Sequence, residues 1–115
     1  MIGPTKEVGD MAVVSVTTLT VKPDRYEAFL ETTRKSKALL EKSGAQNVRL
    51  IAALSAGEAS GSLALTWEAG DFGLQGAVMD RFLRDPEGLA LITSSNTSDG
   101  PTSGFQSSIW VDVPL

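Results

Sequence analysis

The chain has 115 residues, which fits one domain, and its 42% apolar and 21% charged residues are typical of a globular protein. A net charge of −4 argues against a nucleic-acid-binding protein. The sequence contains no cysteine and no histidine, which excludes disulfides, Ser-His-Asp triads and the usual zinc and haem ligands. We therefore expect neither a metal nor a cofactor.

The start of the chain has no apolar segment of the kind that signal peptides carry. We interpret residues 1–10 as a flexible N-terminal arm and residues 11–115 as a single folded domain. No apolar run approaches the roughly 20 residues that a membrane span needs. From these features we expect a cytoplasmic protein.

A strand and then a helix are predicted at the beginning of the folded part. Residues 11–23 are rich in Val and Thr and end at a proline, which indicates a strand. Residues 24–44 carry a capping-box pattern at Asp24 and Glu27, followed by apolar residues at helical spacing. The predicted inner stripe of this helix consists of Tyr26, Phe29, Leu30, Thr33, Lys37 and Leu40.

The rest of the sequence, from residue 46 onward, predicts two further strands, two helices and a last strand. Residues 46–57 and 62–70 alternate as strands around a glycine-rich turn, so they should form a hairpin. Residues 71–85 predict a second helix. Residues 85–95 begin with Asp-Pro, a frequent pair at a helix N-terminus, and predict a short third helix. Residues 105–114 alternate as the last strand.

The order of these elements predicts an α+β fold. The pattern βαββαβ is that of a ferredoxin-like domain, with a four-stranded antiparallel sheet and helices on one face. The other face of the sheet is then bare, and the alternating residues make it largely apolar as well. Because large exposed apolar patches mark interfaces, we predict a symmetric homodimer through the open sheet face.

Several short segments carry a resemblance to a known superfamily. They are "VKP" before the first helix, "GAQNVRL" at the second strand, "LTWEAGD" between the third strand and the second helix, and "RDPEGLAL" after that helix. With the element order, they make residues 11–114 similar to the dimeric α+β barrel proteins. This superfamily includes antibiotic-biosynthesis-type monooxygenases, NIPSNAP-like proteins and stress-responsive barrel proteins.

The resemblance implies a pocket between the sheet and the helices. In the monooxygenase branch, a tryptophan at the end of the third strand lines this pocket and is followed by an acidic residue. Trp67 and Glu68 match those positions. The alternative is that Trp67 anchors the core and Glu68 caps the second helix. The haem-degrading branch places a histidine on that helix, which this sequence lacks, so neither haem degradation nor dye-decolourising peroxidase chemistry is expected.

The candidate catalytic residues are Arg49, Glu68 and Tyr26. An inward-facing Arg49 would need an anionic ligand or an ion pair with Glu68, because an unpaired buried charge is costly. Glu68 or Asp71 could act as a general base, and Tyr26 could donate a hydrogen bond into a cavity. Each also has a structural interpretation, as an ion pair, a helix cap or a core tyrosine whose hydroxyl is satisfied.

The candidate substrate-binding residues are Trp67, Phe72, Met79, Phe82, Ser15 and Thr17. Two hypotheses follow. The first is a cofactor-independent monooxygenase or cyclase that orients an aromatic or polyketide-like substrate and stabilises its anion. The second is a non-catalytic dimeric binding or stress-response protein. A polar-lined cavity beside Trp67 would favour the first hypothesis, and a packed core there would favour the second.

Overall fold

The computed structural model describes residues 12–54, 62–95 and 100–113. In chain order the elements are β1 (Val13–Val21), a 3₁₀ turn (Pro23–Arg25), α1 (Tyr26–Lys42), β2 (Gln46–Ala52), β3 (Leu63–Ala69), α2 (Phe72–Arg84), α3 (Pro86–Ser95) and β4 (Thr102–Val111). The predicted arm, residues 1–10, and the predicted hairpin turn, residues 57–61, lie outside the described residues.

The four strands form one antiparallel sheet in the order β2-β3-β1-β4. This order, with the helices between strands, is the predicted ferredoxin-like α+β arrangement. In the register, Thr17 of β1 lies opposite Leu65 of β3 on one side and Ser107 of β4 on the other. The central strand therefore brings residues from both halves of the chain side by side.

The register also separates the two faces of the sheet, because side chains alternate along each strand. Trp67, Ala69 and Val48 belong to the buried core together with residues of α1 and α2, so their face is the one that the helices cover. The opposite, open face carries Val14, Val16 and Thr18 of β1, Ala64, Thr66 and Glu68 of β3, Arg49 and Ile51 of β2, and Gln106, Ser108 and Trp110 of β4.

The inner face of α1 differs from the predicted stripe. Tyr26 is 46% exposed, and Lys37 forms a surface ion pair with Glu41, Nζ to Oε1 at 3.2 Å. The residues that face the sheet follow the spacing Phe29, Thr33, Ser36 and Leu40. Phe29, Thr33 and Leu40 of the predicted stripe are thus confirmed. Ser36 takes the place of Tyr26 and Lys37, because a search for apolar periodicity does not detect a hydroxyl residue.

Of the predicted helix caps, the one at Asp85 forms, whereas α2 is capped by Asp71 and not by Glu68, whose carboxylate accepts from Asn47 Nδ2 on the sheet. Asp71 accepts a hydrogen bond from the Leu74 backbone N–H at 2.7 Å and begins α2, and Asp85 accepts from the Glu87 N–H at 2.9 Å at the start of α3. The predicted capping box of α1 does not form. The 3₁₀ turn moves the start of α1 to Tyr26, after Arg25, which makes no side-chain cap hydrogen bond.

Candidate functional site

A cavity of about 210 Å³ lies between the helix-facing side of the sheet and the three helices. Its walls are formed by Phe29, Thr32, Thr33, Ser36 and Leu40 of α1, by Thr17, Leu19, Leu65, Trp67, Thr102, Phe105 and Ser107 of the sheet, by Met79, Phe82, Leu91 and Ile92 of α2 and α3, and by Pro101. Apart from the indole N–H of Trp67, the polar groups of these described side chains are all hydroxyls of Ser and Thr. The cavity is therefore aromatic and aliphatic, with neutral hydrogen-bonding groups.

Trp67 is both a core residue and a wall of this cavity. It is 5% exposed, packs in the same core cluster as Val78 and Phe82, and also lines the cavity. Its position near the end of β3, two residues after Leu65, places both side chains on the helix-covered face. The sequence left open whether Trp67 is a pocket wall or a core anchor. In the structure its side chain occupies both positions.

The hydroxyls of the cavity wall make specific hydrogen bonds. On α1, the Thr33 hydroxyl donates to the Phe29 carbonyl oxygen at 2.8 Å, and the Ser36 hydroxyl donates to the Thr32 carbonyl oxygen at 3.0 Å. On the sheet, Thr17 Oγ1 and Ser107 Oγ lie 3.1 Å apart and share a hydrogen bond. These contacts determine which hydroxyl protons remain free to meet a ligand.

Four of the six predicted substrate-binding residues line the cavity: Trp67, Met79, Phe82 and Thr17. The other two are not among its lining residues. Phe72 is the first residue of α2 and is 39% exposed. Ser15 is buried, and its hydroxyl accepts a hydrogen bond from Gln75 Nε2 at 3.5 Å, which joins β1 to α2. That any of the six binds a substrate stays a prediction.

The predicted catalytic residues lie away from the cavity. Arg49 is exposed on the open face of the sheet, opposite Thr66. Glu68 lies on the same face, where its carboxylate accepts a hydrogen bond from Asn47 Nδ2. Within the described residues no ion pair joins Arg49 to Glu68, and Tyr26 stands at the exposed start of α1. Catalysis by these three residues remains a prediction, and for Arg49 and Glu68 it would need a site on the open face.

Sequence reasoning missed several wall residues, above all the hydroxyls on α1 and the β4 pair Phe105 and Ser107. A signal for α1 existed, since Phe29, Thr33 and Ser36 follow helical spacing. No local signal identified the β4 residues as a wall. Their place depends on the pairing of β4 with β1, which joins residues about 90 positions apart.

Two searches of the described residues were negative. No group of three or more His, Cys, Asp or Glu side chains is gathered where it could hold a metal ion in the described part of the chain. None of the described helices combines the length and the apolar character that a membrane span requires.

Comparison with known proteins places the fold among solved structures. A NIPSNAP family protein from Agrobacterium tumefaciens superposes with a TM-score of 0.69 at 10% identity, covering 95% of this chain and 92% of that one. A NIPSNAP-like domain protein from Burkholderia xenovorans gives 0.68 at 11% identity, with coverage of 90% and 87%. A candidate antibiotic biosynthesis monooxygenase from Nitrosomonas europaea gives 0.66 at 17% identity, with coverage of 90% and 92%.

No family model matches the chain, and no curated protein matches it. At identities of 10 to 17%, the likeness to solved structures shows the fold alone. The predicted resemblance is confirmed at that level: this chain has the ferredoxin-like α+β fold of NIPSNAP proteins and of antibiotic-biosynthesis-monooxygenase-like proteins.

Proposed function

We propose that this protein binds a small apolar or aromatic molecule in the cavity between its sheet and helices. The observation that carries the proposal is the cavity beside Trp67, walled by aromatic residues and by hydroxyls. Ligand sites are typically concave and mostly apolar, with a few polar groups that orient the ligand. A packed core at Trp67 would have favoured a protein without a ligand.

The size of the cavity limits the ligand. A dry cavity of about 150 Å³ is large enough to bind benzene. The cavity described here has about 210 Å³ and therefore has room for one ring with a short substituent. A larger ligand would have to extend past the partly exposed residues of β4, such as Phe105.

We further propose that the protein is a homodimer through the open face of the sheet. The centre of this face carries Val14, Val16 and Ala64, and its margins carry Ile51 and Trp110, which is 62% exposed. No described helix covers these residues, since α1, α2 and α3 pack on the other face. The face also carries Arg49 and Glu68, so it is less apolar than the sequence predicted. A second copy would bury its apolar centre on both partners, as a two-fold interface requires.

Catalysis is the second candidate function. A polar-lined cavity beside Trp67 is the feature that we expected of a cofactor-independent monooxygenase or cyclase acting on an aromatic or polyketide-like substrate. The fold is shared with a candidate monooxygenase, which supports this idea without assigning the activity. The described walls carry no titratable side chain, so the substrate itself would have to ionise without a base from the cavity. We therefore propose ligand binding before catalysis.

The cytoplasmic location stays a prediction from the sequence.

The test uses the two tryptophans as separate reporters. In Trp110→Phe, the remaining indole lines the cavity. In Trp67→Phe, the remaining indole lies on the open face. Titration with ethylbenzene, followed by tryptophan fluorescence, should change the signal of Trp110→Phe saturably and leave that of Trp67→Phe nearly unchanged.

The purified protein should first be examined by native mass spectrometry with an absorption spectrum of the same sample. A mass of twice the 12.1 kDa chain supports the homodimer, and an added small mass or a visible chromophore gives the class of the bound ligand.

In the fluorescence titration, signal changes of equal size in both tryptophan variants, or in neither, would contradict binding in the cavity.

A further inference from the structure

Two pairs of hydroxyls in the cavity wall, one on α1 and one on the sheet, differ in what they can offer a ligand. Each Ser or Thr hydroxyl has one proton and two lone pairs. Thr33 and Ser36 of α1 use their protons on the carbonyl oxygens of Phe29 and Thr32, at 2.8 and 3.0 Å. What these two hydroxyls have left to offer the cavity is their lone pairs.

The sheet wall has the opposite character. Thr17 Oγ1 and Ser107 Oγ are 3.1 Å apart, and one proton is used between them. Two hydroxyls carry two protons, so one proton of the pair remains to be donated outside it. Because both residues line the cavity, a ligand acceptor can receive that proton there.

The cavity also has no partner for a charge. The described lining residues include no Arg, Lys, Asp or Glu, and most of the wall is aromatic or aliphatic. The cavity is open at β4, where Phe105 and Ser107 are exposed, but an ion beside its apolar walls would still lose part of its hydration and find no counter-ion. This disfavours carboxylates, phosphates and ammonium ions inside the cavity.

We infer that the cavity selects an uncharged ring compound with a hydrogen-bond donor at one end and an acceptor at the other. The donor, an O–H or N–H group, is oriented toward Thr33 and Ser36 of α1. The acceptor, a carbonyl or ether oxygen, is oriented toward Thr17 and Ser107 of the sheet. This inference rests on the proposed ligand-binding function. It adds that the ligand is uncharged, that it has polar groups at both ends, and how it is oriented in the cavity.

The test is a set of five probes of similar size, measured by isothermal titration calorimetry on the purified full chain. 4-Hydroxyacetophenone has both groups, 4-ethylphenol has the hydroxyl without the ketone, and 4-methoxyacetophenone lacks the hydroxyl donor. Ethylbenzene has neither group, and 4-hydroxybenzoate carries a charge. We expect 4-hydroxyacetophenone to bind most tightly and 4-hydroxybenzoate most weakly.

Near-isosteric variants then assign each end of the ligand. On the α1 wall, Thr33→Val and Ser36→Ala remove the acceptors. These variants should lower the affinity for 4-ethylphenol by roughly five- to tenfold, which corresponds to the loss of about one hydrogen bond. The affinity for 4-methoxyacetophenone should not change. On the sheet wall, Thr17→Val and Ser107→Ala remove the donating pair. These variants should lower the affinity for 4-methoxyacetophenone by a similar factor and leave the affinity for 4-ethylphenol unchanged. Ethylbenzene is the internal control, because its affinity should be the same in all four variants.

The outcomes separate this inference from the proposed function. Suppose that ethylbenzene binds, but that each variant lowers the affinity for both polar probes equally or for neither. The cavity is then a binding site, and the orientation assigned to the ligand is wrong. Binding of 4-hydroxybenzoate as tight as that of 4-hydroxyacetophenone would overturn the selection for neutral ligands. If no probe binds, ethylbenzene included, the proposed function fails and this inference fails with it.

Discussion

The Nη1 atom of Arg81 in α2 donates a hydrogen bond to the carbonyl oxygen of Ser43 at the end of α1, across 3.0 Å. The last carbonyls of a helix have no partner within the helix, and a cation near them also interacts favourably with the helix dipole. Gly44, the next residue, has a φ of 107° and lies directly beside the same guanidinium. This contact joins two helices that both contribute to the cavity walls.

We expect Arg81→Ala to lower the free energy of unfolding by about 1 kcal/mol, because it leaves the Ser43 carbonyl without this donor. Urea denaturation followed by circular dichroism measures the change. Arg84→Ala is the matched control. In the part of the chain that the structure describes, Arg84 pairs with Asp80 on the surface of the same helix, and exposed pairs of this kind contribute little. Equal losses in the two variants would show that the bond to Ser43 has no special role.

Gly88 lies at a close approach between α2 and α3. A Cβ atom added at Gly88 would lie 1.9 Å from the Phe82 carbonyl oxygen and 3.2 Å from Leu39 Cδ2. Because one of these neighbours is backbone, the helices would have to move apart to admit a methyl group. We expect Gly88→Ala to destabilise the protein by about 1–3 kcal/mol, measured as a lower melting temperature. An unchanged melting temperature would mean that α3 does not pack as described.

Gly76 offers the opposite case within α2. It is exposed, and apart from its chain neighbours and the backbone of its own helix no atom lies within 4 Å of the position that a Cβ would take. Glycine in a helix costs about 0.5–1 kcal/mol relative to alanine, so Gly76→Ala should stabilise the protein by about that amount. The measurement is again thermal unfolding, with Gly88→Ala as the contrasting variant. Destabilisation by Gly76→Ala would point to a contact at this position that the described fold does not contain.

The start of α2 depends on the side chain of Asp71, which accepts from the Leu74 N–H at 2.7 Å. Removing an N-cap of this kind typically costs about 1 kcal/mol, and we expect that loss in Asp71→Ala. Asp71→Asn keeps an oxygen acceptor and should retain most of the stability. The difference between the two variants in urea denaturation measures the cap itself. Similar losses in both would attribute the effect to the charge of Asp71 rather than to the hydrogen bond.

The proposed homodimer predicts a strong effect of a charge at the centre of the open face. Val16 lies there between Thr66 and Ser108. A carboxylate buried against a second copy would be unpaired, so Val16→Asp should shift the protein to monomer in light scattering coupled to gel filtration. Ala38→Asp, on the exposed side of α1, is the control and should keep the dimer mass. A dimer that persists in Val16→Asp would contradict an interface on this face.

The sequence alone was sufficient for the order and type of the elements. Residues alternating with a period of two predict β2 and β3, and helical spacing predicts α2 and, with an Asp before it, α3, because these signals depend on neighbours along the chain. The cap at Asp85 was found in this way, whereas Asp71 was predicted inside the second helix and is its N-cap in the structure. The fold class followed from that order, since few arrangements connect such elements.

Only the tertiary structure decided which side of each element faces the cavity. Arg49 lies on the open face and Thr17 on the covered one, and alternation by itself predicts two sets without saying which set is covered. The hydroxyl pair of Thr17 and Ser107 joins positions 90 residues apart, so no local pattern contains it. The inner face of α1 was predicted in part, at Phe29, Thr33 and Leu40. Ser36 was missed because its hydroxyl resembles a solvent-facing residue in the sequence, and only the packing of α1 over the sheet turns it toward the cavity.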